Sequence, residues 1–303
     1  MFIALAFTFA TGCSFALISM IISSLAREKI SFFQFYAASN LLAGIASWIF
    51  LPDWSKVPEI SWGGVLSLTL GAGLINTASQ AGMVLSLRYG HNGISVAIRN
   101  SAALISMLFG VIFLHEKVSF INLTGVFLLL TSLAVIAITG KKGSGNYNLK
   151  RWIPAVILSF LMSGCYQILM TANTLLPEIV RSAGIRIPCL FCACATGNVI
   201  ASLIERKVGA NSAPLFHFKR KQLLVMLLWV CTAMLQYQLL LQALDTMHKS
   251  AMSALTWPLL IGINVTVFSI FCRLKWHEKY PPGTIIGMAG TIIGLILIIW
   301  GRK

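Results

Sequence analysis

Arg99 is the residue whose placement most demands a chemical explanation. It stands in "ISVAIRNSAALI", two turns inside an otherwise apolar run, which at a helical rise of 1.5 Å per residue is about 10 Å deep. A guanidinium at that depth is costly unless it is paired or faces water, so contact with a substrate or counter-ion is one explanation. The other is that it snorkels to the head groups or bonds carbonyls of a neighbouring helix.

Uncharged polar residues lie in similar apolar surroundings. Asn76 and Gln80 are four residues apart and share one helix face, as do Gln238 and Gln242, beside Tyr237. Tyr166 and Gln167, together with Asn40 and Asn198, add further amides and a phenol. For any one amide, an interhelical hydrogen bond explains its presence. Together they would make a polar cavity for a hydrogen-bonding metabolite. Arg99 and Asn100, Asn76, Gln80, Tyr166, Gln167, Tyr237, Gln238 and Trp257 are therefore the candidate substrate-binding residues.

Catalytic and metal chemistry find little support. The eight acidic residues all fall at the ends of apolar runs or in loops. Cys189, Cys192 and Cys194 are close in sequence but have no His or acidic residue among them. There is no H-E-x-x-H pair, no convergent Ser, His and Asp set, and no P-loop around "ITGKK". The expectation is no enzyme, no metal and no cofactor.

The elements that must hold these residues are set by composition. Of 303 residues, 57% are hydrophobic and 10% charged, with a mean hydropathy of +0.85. Soluble domains use roughly 45 to 50% apolar and 25% charged residues, so this is a membrane chain. The net charge of +15 resides mainly in short connectors, as expected for loops at an anionic membrane surface, and gives no reason to expect a nucleic-acid partner. Crossing a bilayer core takes about 20 apolar residues. Ten runs qualify, near 2–25, 31–51, 62–87, 92–114, 119–139, 152–174, 185–204, 222–244, 249–272 and 282–300. The first lacks a basic start and is read as a retained span.

Ten spans divide into five and five. "HEKVSFINLTG", starting at His115, joins the fourth run to the fifth, and "HEKYPPGTIIG", starting at His277, joins the ninth to the tenth. Gly12-Cys13 parallels Gly164-Cys165. A single register then aligns Asn40 with Asn198, Gln80 with Gln238, Ser95 with Ser253, and Arg99-Asn100 with Trp257-Pro258. An odd number of spans per copy forces the second copy to enter the membrane from the opposite side, so the repeats are inverted. A cationic wall would then face an aromatic one, next to a proline that frees a backbone carbonyl. The chain is read as an all-α membrane protein of ten transmembrane helices in two inverted five-helix repeats, 1–140 and 152–303, joined by a basic loop at 141–151.

With these motifs the chain resembles the drug/metabolite transporter superfamily, in its ten-helix EamA-type branch. Glu116-Lys117 with Gly125, and Glu278-Lys279 with Gly287, match the way each repeat of that family tends to end. The resemblance implies a central cavity lined by helices 1–4 and 6–9, with helices 5 and 10 outside. Small multidrug relatives carry a glutamate within the first helix for proton and cation exchange; this first helix has none. A neutral, zwitterionic or anionic solute is expected, moved across the cell (inner) membrane. Lys and Arg concentrate in the loops after odd-numbered spans, which favours an outside N-terminus, whereas the resemblance implies cytoplasmic termini. Gly283, Gly287, Gly290 and Gly294 make a small-residue face in the tenth span, suited to packing against helix 5 or 9 or to dimerisation. Expected partners are a small-molecule substrate and membrane lipid, with the protein a monomer or homodimer. A non-transporting receptor and a membrane-embedded enzyme are the alternatives.

Overall fold

Where no water can satisfy the backbone, a chain must close its hydrogen bonds within each segment, and helices do so. The computed structural model describes residues 2–26, 31–50, 62–89, 92–139, 148–176, 183–207, 218–277 and 280–301. Its α-helices are α1 (Phe2–Ala26), α2 (Phe32–Phe50), α3 (Trp62–Tyr89), α4 (Asn92–Asn100), α5 (Ala103–Phe113), α6 (Phe120–Thr139), α7 (Leu149–Ala172), α8 (Ala183–Lys207), α9 (Arg220–Lys249), α10 (Ser253–Trp276) and α11 (Pro282–Trp300). No strand occurs among the described residues. Eight stretches are long and apolar enough to cross a membrane, α4 and α5 together supplying one of them. The two helices outside that set, α2 and α3, bury Gln34, Asn40 and Ser47, and Asn76, Thr77, Ser79 and Ser86. Polarity that lowers their hydropathy is thus turned into the protein. The chain is an all-α, multi-pass membrane protein.

Helix neighbours follow a two-fold pattern. α2 packs on α8, and α6 on α11. α3 packs on α7 and α8, as α9 packs on α1 and α2; α5 packs on α7, as α10 packs on α1. Exchanging α1 with α7, α2 with α8, α3 with α9, α4–α5 with α10, and α6 with α11 reproduces these contacts. The two self-paired contacts are antiparallel. Ser31 at the start of α2 bonds Glu205 near the end of α8, while Gly44 lies against Cys192. Gly125 of α6 lies against Gly294 of α11, and Gly283 against Thr139. A further pair is chemically specific. Gly12 of α1 admits the side chain of Ile263 from α10, and Gly164 of α7 admits Ile105 from α5. A Cβ at either glycine would collide with that isoleucine.

The two HEK motifs also fold alike where both are described. His115 and His277 end their helices in the left-handed region, at φ 53° and 51°, the conformation that commonly closes a helix. Glu278 and Lys279 lie outside the described residues. The first motif reaches across the halves. Glu116, only 7% exposed, accepts hydrogen bonds from the backbone amides of Ser253 and Ala254 at 2.8 and 2.7 Å. A carboxylate there satisfies otherwise orphaned donors at the start of α10 and complements the helix dipole. At the far end of the same corner, Asn122 Nδ2 donates to the Ile298 carbonyl at 2.6 Å. The small-residue face of α11 is occupied by α6, with Gly287 against Ser132 and Ile136.

Two boundaries differ from those expected. The fourth span is two helices, broken at Ser101–Ala102. There Ala102 N donates to Arg99 O and Leu104 N to Ser101 O, three-residue closures that tighten the chain. Ser101 Oγ takes the Ile98 carbonyl at 2.6 Å, which offers the backbone a local alternative to the α-helical bond. Pro258, expected to free a backbone carbonyl in the ninth span, lies inside α10, which continues through it. α9 runs to Lys249, so the "DTMHK" segment is helix rather than connector. Most of the connector between the halves, 140–147, lies outside the described residues.

Candidate functional site

Arg99 sits in the last turn of α4, just before the break, and is half-buried. Its Nε donates to Ser79 Oγ of α3 at 3.4 Å, and the phenols of Tyr36 of α2, Tyr166 of α7 and Tyr237 of α9 are neighbours of the guanidinium. All three tyrosines are buried. Each is held by a ring from another helix. Trp229 meets Tyr36 at a centroid distance of 5.3 Å, Trp257 meets Tyr166 at 5.8 Å, and Phe191 meets Tyr237 at 5.2 Å, all edge to face. Such geometry suits the ring quadrupoles and fixes the phenol orientations. Trp257 Nε1 is anchored on Thr171 Oγ1 at 3.1 Å.

The α3 side of the centre is fixed by close backbone approach to α7. Ser79 and Ser159 exchange hydrogen bonds, each hydroxyl donating to the other's carbonyl at 3.2 and 3.1 Å. Asn76 Nδ2 contacts Cys194 Sγ at 3.8 Å, and Cys194 is an electrostatic neighbour of all three tyrosines.

Of the residues singled out from sequence, Arg99, Tyr166, Tyr237 and Trp257 converge here, and Asn76 reaches the group through Cys194. Gln80 lies one turn along α3, half-buried, its buried Oε1 without a hydrogen-bond partner among the described residues. Gln167 turns to Ser163 of its own helix at 3.4 Å. Asn100 and Gln238 are half-buried and make none of the contacts above. Asn40 and Asn198 each donate at 2.7 Å to the carbonyl four residues back, that of Tyr36 and that of Cys194, and Asn198 Nδ2 also donates to Thr77 Oγ1 of α3 at 3.3 Å. Around Arg99 the structure gathers aromatic side chains more than amides. The amides of Asn40 and Gln167 bond within their own helix, that of Asn76 reaches a neighbour, and that of Asn198 does both.

Tyr36, Ser79, Cys194 and Trp229 were not anticipated. The repeat register would have found three of them. It pairs Tyr36 with Cys194, Ser79 with Tyr237 and Arg99 with Trp257, and all six meet at the centre. A second correction concerns charge. Arg99 was singled out as a charge inside an apolar run, yet a second such residue, Arg186 of α8, is only 2% exposed and pairs with Asp245 Oδ2 of α9 at 3.0 Å. The extension of α9 beyond its expected end carries Asp245 against the first turn of α8, and the pairing makes burial of the guanidinium tolerable.

Residues 2–138 match the model of the EamA-like transporter family, part of the drug/metabolite transporter superfamily, which supports the resemblance drawn from the motifs over that stretch. A crystal structure of a protein 13% identical superposes with a TM-score of 0.68, covering 97% of this chain and 95% of the other. That likeness extends the fold over nearly the whole chain. No curated protein sequence matches. Members of the matched family are transporters rather than enzymes, and a transporter of this type works on a small molecule within lipid.

Proposed function

We propose that the protein is a secondary transporter of the cell (inner) membrane. It moves a small polar solute, neutral, zwitterionic or anionic, by alternating access through the centre around Arg99. Residues 1–140 and 152–303 act as two inverted units that rock about this centre, with 141–151 joining them. The observation that carries the proposal is the surroundings of Arg99. It has no carboxylate partner among the described residues, and its neighbours come from both units: Tyr36 and Ser79 from one, Tyr166 and Tyr237 from the other. A site between inverted repeats can be opened to either side without moving the residues that bind.

Proteoliposomes loaded with a mixture of polar metabolites test this. Wild-type protein should release a subset of them faster than protein-free vesicles, and Arg99→Ala should return that subset to background. Equal release by both forms would remove Arg99 from the transport path, and no release by either would favour a non-transporting receptor.

A further inference from the structure

Charge balance and wall chemistry at the centre restrict the solute further, an inference that rests on Arg99 being in the substrate site. The described carboxylates are all engaged elsewhere: Glu116 on the start of α10, Glu205 with Arg88, and Asp245 with Arg186. The centre therefore holds one positive charge without a counter-charge among the described residues. A single anionic group would neutralise it, and a second would be left in excess. An ammonium on the same solute would lie close to the guanidinium with no described acid to offset the repulsion. The donors suit an oxyanion as well. A guanidinium offers planar, paired N–H groups to a carboxylate, and the phenols of Tyr36, Tyr166 and Tyr237 can donate to its remaining lone pairs.

Beyond those donors the walls are apolar. The three tyrosines belong to one buried cluster with Trp229, Trp257, Phe191 and Leu260. Rings fixed edge to face present a stiff apolar surface, suited to a flat or branched hydrocarbon body and poor for hydroxylated or further charged groups. We infer that the solute held at Arg99 is a monocarboxylate whose remaining body is apolar, aromatic or branched aliphatic, and carries no ammonium group.

Four probes sharing one ring separate the possibilities: phenylacetate, L-phenylalanine, phenethylamine and phenylmalonate. The purified full-length protein is titrated with each by tryptophan fluorescence, which Trp229 and Trp257 make sensitive to this centre. Phenylacetate should bind at least about tenfold more tightly than each of the others, about 1.4 kcal/mol. Arg99→Gln should abolish the response while Arg99→Lys keeps a weaker one; size-exclusion profiles of both verify folding, and Tyr166→Phe, which keeps Arg99, should weaken binding several-fold. Binding of L-phenylalanine or phenethylamine as tight as that of phenylacetate overturns the inference, as does no response to phenylacetate. If Arg99-dependent release of other metabolites persists in proteoliposomes, the transporter proposal survives that failure; if no Arg99-dependent release is found, the proposal fails as well.

Discussion

The two halves place different chemistry on equivalent positions of nearly the same frame. One contributes Tyr36, Ser79 and Arg99 to the centre; the register supplies Cys194, Tyr237 and Trp257 opposite them. The helices carrying the third pair differ too. α4–α5 breaks two residues after Arg99 although it has no proline, whereas α10 passes through Pro258 unbroken. Part of the reason lies in what holds each segment. The start of α10 is fixed by the Glu116 carboxylate and by Gly110, whose Cα lies against Ala254. Near Arg99 the Ser101 hydroxyl instead bonds back to Ile98. Symmetric packing builds the frame, and the departures from symmetry gather around Arg99.

The comparison can be broken most severely at Arg99. Arg99→Ala should reduce flux through proteoliposomes by the equivalent of about 2 to 5 kcal/mol, the usual effect of removing one partner from a desolvated charge contact. Trp257→Ala on the other half should lower flux much less. If the two fell equally, the cationic and aromatic halves would not have the separate roles given to them here.

Glu116→Gln sharpens the comparison at the frame. It keeps the shape, but the amide oxygen can accept only one of the two bonds and the NH2 is turned toward the other backbone N–H, so unfolding stability should fall by about 2 to 3 kcal/mol, seen as a reduced Tm in detergent. An unchanged Tm would mean that the cap does not hold α10. In the outer pair, a Cβ at Gly294 would stand 2.8 Å from the Gly125 carbonyl. Gly294→Ala should cost about 1 to 3 kcal/mol of stability through overpacking, while solute affinity of the folded fraction stays unchanged. The smallest effect belongs to Trp257→Phe, which keeps an aromatic ring against Tyr166 but loses the donor to Thr171; the expected loss is about 1 kcal/mol.

Much of the frame was legible because it depends on patterns that survive locally. Apolar length gave the spans, and the paired HEK motifs marked the corners where His115 and His277 turn left-handed. Asn40 and Asn198 were legible as a pair, though not as the residues that hold the Tyr36 and Cys194 carbonyls. The site was less legible. An amide in an apolar run can bond its own helix, as Gln167 does, or also a neighbour, as Asn198 does, and spacing does not distinguish the two. A tyrosine such as Tyr36, inside "FFQFYAAS", reads as one more aromatic until packing brings it to Arg99. Arg186 escaped notice because its burial depends on Asp245, which α9 delivers only by running past its apolar stretch.

The claim that the Arg99 centre is reached by water and solute from either face of the membrane can be tested by labelling. In a background with the 7 native cysteines replaced, Tyr237→Cys would be exposed to a membrane-impermeant thiol reagent added to one side or the other of oriented vesicles. Labelling from both sides, slowed by transported solute, is the predicted result. Labelling from neither side, in protein that binds no solute, would contradict it.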